Sequence, residues 1–154
     1  MDDYLKTVAG MMAIAARTAP KATGKDYIEI KVISGKEIDL LADAMVAYGE
    51  SSGKNNYDRD GKNVRDSGTV LLISLKEPVH AGLNCGACGF ERCSELAAAL
   101  KEGPEFTGPL CAWRVMDLGI ALGSAVKTAS LFNADNRIMY RIGVAALKAR
   151  LIDG

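Results

Sequence analysis

The stretch Thr69-Val70-Leu71-Leu72-Ile73-Ser74-Leu75 decides the fold class of this chain. It is a continuous apolar run of strand length, and that pattern predicts a central strand covered on both faces. Upstream, residues 27–33 alternate and are rich in β-branched side chains, which predicts another strand. Two strands, or three, make only a small sheet, so helices must supply most of the remaining core.

Helical spacing of apolar residues surrounds both strands. A helix is expected up to Arg17, and Ser34-Gly35-Lys36-Glu37 reads as the capped start of the next. Residues 49–61 read as a turn region with room for a short helix, because glycine, serine, asparagine and aspartate are frequent there. Later helices are predicted at residues 91–101, 113–131 and 137–151, the second of them buried on most sides. The pattern as a whole predicts an α+β fold in which a small sheet packs against four or five helices.

Length and composition point to one soluble globular domain over residues 1–154. Hydrophobic residues make up 49% of the 154 positions and charged residues 25%. With 19 basic and 19 acidic side chains the net charge is +0, which removes the usual electrostatic case for nucleic acid or an anionic membrane. The start, Met1-Asp2-Asp3, is acidic where a signal peptide would be basic, so we expect a cytoplasmic protein.

The four cysteines are the strongest functional signal in the sequence. Cys85, Cys88, Cys93 and Cys111 follow the spacing C-x2-C-x4-C-x17-C inside a segment at residues 80–113. In a reducing cytosol such cysteines are better candidates for metal ligands or a redox site than for structural disulfides. Gly86 and Gly89 allow the tight loop that would turn two thiolates toward one centre. We therefore predict that all four sulfurs converge on one metal or cluster site.

Three kinds of site remain open from the residues alone. An iron–sulfur cluster suits four thiolates that converge on a volume a few ångströms across. Zinc is the alternative, although four-cysteine zinc sites usually have two paired knuckles and here the second half is Cys111 alone. A redox disulfide between Cys85 and Cys88 would leave Cys93 and Cys111 unexplained.

The run from Leu83 to Leu100, with Cys111 after it, resembles a known small 4Fe–4S domain. The run reads Leu83-Asn84-Cys85-Gly86-Ala87-Cys88-Gly89-Phe90-Glu91-Arg92-Cys93-Ser94-Glu95-Leu96-Ala97-Ala98-Ala99-Leu100. That domain occurs in corrinoid iron–sulfur proteins and in a subunit of the Rnf electron-transport complex. The resemblance implies that Cys85, Cys88, Cys93 and Cys111 are the four cluster ligands.

The rest of the chain resembles an uncharacterised family of ferredoxin domain-containing proteins. The matching motifs are residues 15–26, 116–125 and 135–143. Membership implies a cluster and electron transfer, and nothing about a substrate. A fainter resemblance, to flavin nitroreductases, rests on the Ala19-Pro20 turn and on Gly119, Ala121 and Gly123 in the long helix. It implies a nitroreductase-like fold and makes FMN a candidate cofactor, but the arginine-rich phosphate-binding string of those enzymes is missing here.

The expected function is a 4Fe–4S electron-transfer or redox module with an unidentified redox partner protein. A flavin-linked reductase and a zinc-stabilised binding module without redox function stay as alternatives. The sequence assigns no catalytic residues and no flavin-binding residues. His80, Trp113 and four basic residues (Lys21, Lys25, Lys54 and Arg59) are weaker candidates, because a solvated or packing role explains each of them as well. A homodimer is expected, since a helix that is apolar all round needs cover on every face.

Overall fold

The computed structural model describes residues 2–154, with Asp2 described by its backbone alone. Across that range the chain forms six α-helices, one short 3-10 helix and four β-strands. In chain order they are α1 (Asp2–Thr18), the 3-10 helix (Ala22–Gly24), β1 (Ile28–Ile33), α2 (Lys36–Ser52), α3 (Tyr57–Arg65), β2 (Val70–Leu75), α4 (Cys93–Ala98), β3 (Lys101–Glu102), β4 (Thr107–Gly108), α5 (Ala112–Leu131) and α6 (Tyr140–Lys148). The predicted α+β class is confirmed, with one helix more than expected.

The strands form two small antiparallel sheets. β1 pairs with β2 so that Ile28 lies opposite Leu75 and Ile33 lies opposite Val70. β3 and β4 make a hairpin of two residues each. The prediction that β2 is a central strand covered on both faces is wrong, because β1 is its one neighbour in the described structure. Of β2, only Val70 and Leu72 are buried, and its apolar run instead faces an open groove.

Two hydrophobic clusters hold the helices to the main sheet. One joins α1 and α5 to the sheet through small residues, among them Ala16, Ala121 and Ala125. The other packs α2, α3 and α6 against the sheet around Leu41 and Met45. Alanines at these contacts let the backbones approach closely, and this is why the long helices need few large side chains at their crossings.

The region at 49–61 contains more helix than its composition predicts. α2 continues to Ser52 and α3 begins at Tyr57, so little of the region is turn. Gly49 and Gly61 are contact positions inside helices, whereas Gly53 ends α2 in a left-handed conformation. A Cβ on Gly49 would lie 2.6 Å from Cβ of Tyr57, and one on Gly61 would lie 3.1 Å from the carbonyl oxygen of Ala42. Glycine therefore permits the close packing of α2 against α3.

Other helix predictions need smaller corrections. The helix predicted at 91–101 is only α4, and the chain turns into β3 at Lys101. α2 begins after Gly35 without the side-chain cap expected from Ser34. α6 is shorter at both ends than 137–151. No helix in residues 2–154 is long and apolar enough to cross a membrane.

The expectation that α5 is buried on most sides is wrong. Its buried face carries Arg114, Asp117 and three alanines. Val115, Met116 and Ile120, on its other faces, are 38–51% exposed. The helix is largely apolar, as predicted, but the chain itself covers only part of it.

Candidate metal centre

All four cysteines line one small cavity. Cys85 and Cys88 lie in the loop between β2 and α4, Cys93 is the first residue of α4, and Cys111 directly precedes α5. The enclosed space they share is small, about 10 Å³. Its remaining lining is Ala81, Leu83, Gly86, Ala87, Phe90, Ala112 and Trp113. All four cysteines are free thiols in the structure. The cavity thus brings together the four residues singled out from the sequence.

A tight glycine turn shapes the first half of the site. Gly86 and Gly89 have φ angles of +73° and +90°, which side-chain-bearing residues rarely adopt. The N–H of Gly89 donates to the carbonyl oxygen of Gly86 at 2.9 Å, closing the turn around Cys88. The two glycines thus do what the sequence suggested, since they turn the loop that carries Cys85 and Cys88.

Asn84 fastens this loop to the start of α4. Its side-chain Oδ1 accepts a hydrogen bond from the backbone N–H of Cys93 at 2.9 Å. Its own N–H donates to Sγ of Cys93 at 3.4 Å. Asn84 has a φ of +47°, a left-handed conformation that asparagine tolerates better than most residues. The sequence analysis did not assign this role to Asn84. Its position directly before Cys85 could have indicated it.

Hydrogen-bond donors also reach the sulfur of Cys85. The backbone N–H of Ala87 and the indole of Trp113 lower the pKa of the Cys85 thiol, because both stabilise its thiolate form. The Trp113 Nε1–H donates to Sγ of Cys85 at 3.2 Å. Trp113 is 37% exposed, so it lies at the mouth of the cavity instead of screening the site from inside.

The four thiols form a gradient of exposure. Cys85 is exposed, Cys88 and Cys93 are partly buried, and Cys111 is buried. Cys111 lies at the N-terminus of the 20-residue α5, where the helix dipole favours a negative charge. The site therefore has an inner end at α5 and an outer end at the Cys85 loop.

A buried ion pair fixes the inner end. Arg114 Nη1 lies 2.9 Å from Oδ2 of Asp117, and both side chains are almost fully buried. The pair also holds the loop after α1, since Asp117 Oδ1 accepts from the N–H of Ala22 at 2.7 Å and Arg114 Nη1 donates to the Ala22 carbonyl at 3.0 Å. The Arg114 guanidinium lies 4.8 Å from the ring centroid of Tyr27. The motif at 15–26 thus positions the first turn of α5, which follows Cys111.

Glu105 fixes the hairpin between the third and fourth cysteines. It lies in the turn between β3 and β4 and forms an ion pair of 2.6 Å with Lys54. It also accepts hydrogen bonds from the hydroxyls of Tyr48 at 3.2 Å, Tyr57 at 3.1 Å and Tyr140 at 2.6 Å. Lys54, followed by Tyr140, lowers the pKa of Glu105 to about 2. We call these five residues the Glu105 clamp, which ties the hairpin to α2, α3 and α6.

Most of the weaker candidate residues have structural contacts. Lys21 is buried, and its ammonium donates to carbonyl oxygens at the end of α1, including that of Ala19 at 2.6 Å. Lys54 belongs to the Glu105 clamp, and Arg59 pairs with the buried Asp60 at 2.9 Å. His80 is exposed, and the cavity lining described above does not include it.

The donor set fits a cluster with four thiolate ligands. Four free cysteines line one cavity, and N–H groups reach two of the sulfurs, as they do around iron–sulfur clusters. No set of three or more His, Cys, Asp or Glu side chains in residues 2–154 is arranged to hold a single metal ion. When bound, a cluster would supply one-electron redox chemistry at this site.

Comparisons with known proteins divide the chain near the Glu105 hairpin. The model of the family described as "Uncharacterized protein containing a ferredoxin domain" (DUF2148) matches residues 107–154. The model described as "Putative Fe-S cluster" matches residues 81–105, which hold the first three cysteines. An "Uncharacterized protein" of Archaeoglobus fulgidus is 49% identical over 152 residues, which cover 99% of this chain and 82% of that relative. No solved structure matches the chain.

Proposed function

Since the chain belongs to the family of uncharacterized proteins that contain a ferredoxin domain, and so to the iron–sulfur proteins, we propose that it binds one 4Fe–4S cluster and transfers single electrons. Cys85, Cys88, Cys93 and Cys111 hold the cluster. The observation that carries this proposal is that four free cysteines, which come from two loops and the start of α4, line one cavity.

The residues around the cavity have distinct tasks in this function. Trp113 and the backbone N–H groups of the loop donate to sulfur, which stabilises the extra negative charge of the reduced state. Cys111 and α5 anchor the inner end. The exposed Cys85 end supplies the short path to a partner that electron transfer needs.

Metal analysis of anaerobically purified protein tests the cluster. We expect four iron and four sulfide per chain, and a large loss of iron in Cys93→Ser and Cys111→Ser. His80→Ala is the matched control, because His80 is exposed in the same segment and should leave the iron content unchanged. One zinc per chain without iron or sulfide would establish the zinc-stabilised module instead.

Reduction by a small protein donor tests the electron-transfer role. We expect the visible absorbance of the cluster to bleach when reduced donor is added. A cluster that only a small chemical reductant reaches would contradict the carrier function and leave a structural one. Flavin released on denaturation, in stoichiometric amount, would favour the flavin-linked reductase.

A further inference from the structure

An open apolar groove runs along β2, on a different part of the surface from the cysteine cavity. Its floor and walls come from β2, α1, α5 and α6, together with residues 134–139. Apolar side chains of α5 form much of the floor, namely Leu118, Leu122 and Val126. We call this surface the β2 groove.

The β2 groove is larger than an ordinary ligand pocket. Its volume is about 1530 Å³, whereas small-molecule pockets usually measure about 300–1,000 Å³. Four large side chains on its rim are 45–59% exposed, namely Phe106, Val115, Ile138 and Tyr140. Exposed apolar side chains around one groove are typical of protein–protein contacts and of ligand-binding grooves.

The exposed surface of the chain is larger than that of a compact monomer of the same mass. A compact monomer of 16.3 kDa exposes about 7,500 Å², but this chain exposes 9000 Å². The difference of about 1,500 Å² exceeds the roughly 800 Å² that each partner buries in a standard interface. It lies in the range of permanent homodimers, which bury about 1,000–2,500 Å² per chain. Residues 76–110, of which only Leu96 is buried, contribute to this excess together with the exposed apolar side chains on the rim of the β2 groove.

We propose that a second copy of this chain occupies the β2 groove in a twofold symmetric dimer. A symmetric contact needs one patch that carries both a hollow and a projection. Here the hollow is the groove floor, and Ile138 and Tyr140 project from its rim. The net charge of +0 means that two copies do not repel one another. This inference does not depend on the proposed cluster.

Sedimentation or light scattering of the full-length, anaerobically purified protein tests the dimer. We expect twice the mass of 16.3 kDa at micromolar concentration. Ile138→Asp should raise the dimer dissociation constant at least 10-fold, since it places a carboxylate in an apolar contact. Leu40→Asp is the matched control, because Leu40 is 58% exposed on α2 and does not line the groove.

The thermal midpoint provides a second readout in case the separated chain is unstable. For a dimer the midpoint rises with protein concentration, whether or not the monomer stays folded. A monomeric mass together with a concentration-independent midpoint would overturn the proposal and leave the groove to another protein or a ligand. A dimer that Ile138→Asp leaves intact would place the contact on another face, and this too would overturn it.

Discussion

Glu105 is the acidic side chain with the most polar partners in the loop between β3 and β4. Its carboxylate meets Lys54 and three tyrosine hydroxyls, and its side chain is only 11% exposed. These contacts lower its pKa from 4.5 to about 2. Because the folded pKa lies below the unfolded one, the stabilisation is complete above about pH 4.5 and is lost as pH falls toward 2.

We predict that Glu105→Gln lowers the free energy of unfolding at pH 7 by about 1–3 kcal/mol, because a shift of one pKa unit corresponds to about 1.4 kcal/mol. The difference between the two proteins should shrink between pH 4.5 and 2. Denaturant titrations at several pH values measure both effects. Glu102→Gln, on the exposed strand next to the turn, is the control and should change stability little. A constant difference at all pH values would show that the charge of Glu105 is not what stabilises the hairpin.

α5 connects the metal centre to the rest of the fold through its first turns. Arg114 and Asp117 are 2% and 4% exposed, and together they hold the loop at Ala22. Removing one member of such a pair leaves the other buried without its partner charge. We predict that Asp117→Ala lowers the free energy of unfolding by about 3–5 kcal/mol.

The double variant Arg114→Met/Asp117→Leu measures how strongly the two charges depend on each other. It should cost clearly less than the sum of the single changes, since no unpaired charge remains. The exposed pair of Lys62, in the last turn of α3, and Asp66, directly after α3, is the comparison, and Asp66→Ala should cost less than about 1 kcal/mol. Strict additivity at Arg114 and Asp117 would contradict their coupling.

The sequence predicted those helices and strands that have a clear pattern of apolar residues. α1 and β1 follow from periodic apolar residues, and β2 follows from a continuous apolar run. The cysteine spacing predicted a common site, and its four members do line one cavity. The two-residue strands β3 and β4 have no periodicity to detect. The ligand role of the cysteines and the single-domain assignment of residues 1–154 stay predictions.

Contacts between distant residues could not be read from the sequence. Glu105 binds Tyr48 across 57 positions, and Arg114 reaches Ala22 across 92. Each of these residues, viewed alone, resembles an ordinary surface charge. The glycines at 49 and 61 misled for the same reason, because the helix that each one contacts is visible only in the folded chain.

At the scale of the whole molecule, the core and the cysteine segment are separate. Between Leu75 and Ala121, only Leu118 contacts either hydrophobic cluster, and it packs against the one formed by α1, α5 and the main sheet. Within residues 76–110, Leu96 is the one side chain that is fully buried. The body of the protein therefore has its own source of stability, and the cysteine segment depends on its anchors and, in the proposed function, on the cluster.

We predict that removing the cluster with a chelator leaves the helical circular dichroism and its cooperative melting in place. Amide hydrogen exchange of residues 84–96 should accelerate at least 10-fold, because few backbone hydrogen bonds protect that segment. Exchange in α2, which packs in the larger cluster, should change little. Loss of cooperative melting on iron removal would show that the cluster is part of the core.

The separation between core and cysteine segment bears on how a cell would maintain this protein when iron is scarce. A polypeptide whose core does not need its metal escapes the proteases that clear unfolded chains. Shortage would then lower the fraction of working molecules and leave their number unchanged. On resupply, activity would return at the pace of cluster delivery, without waiting for new synthesis.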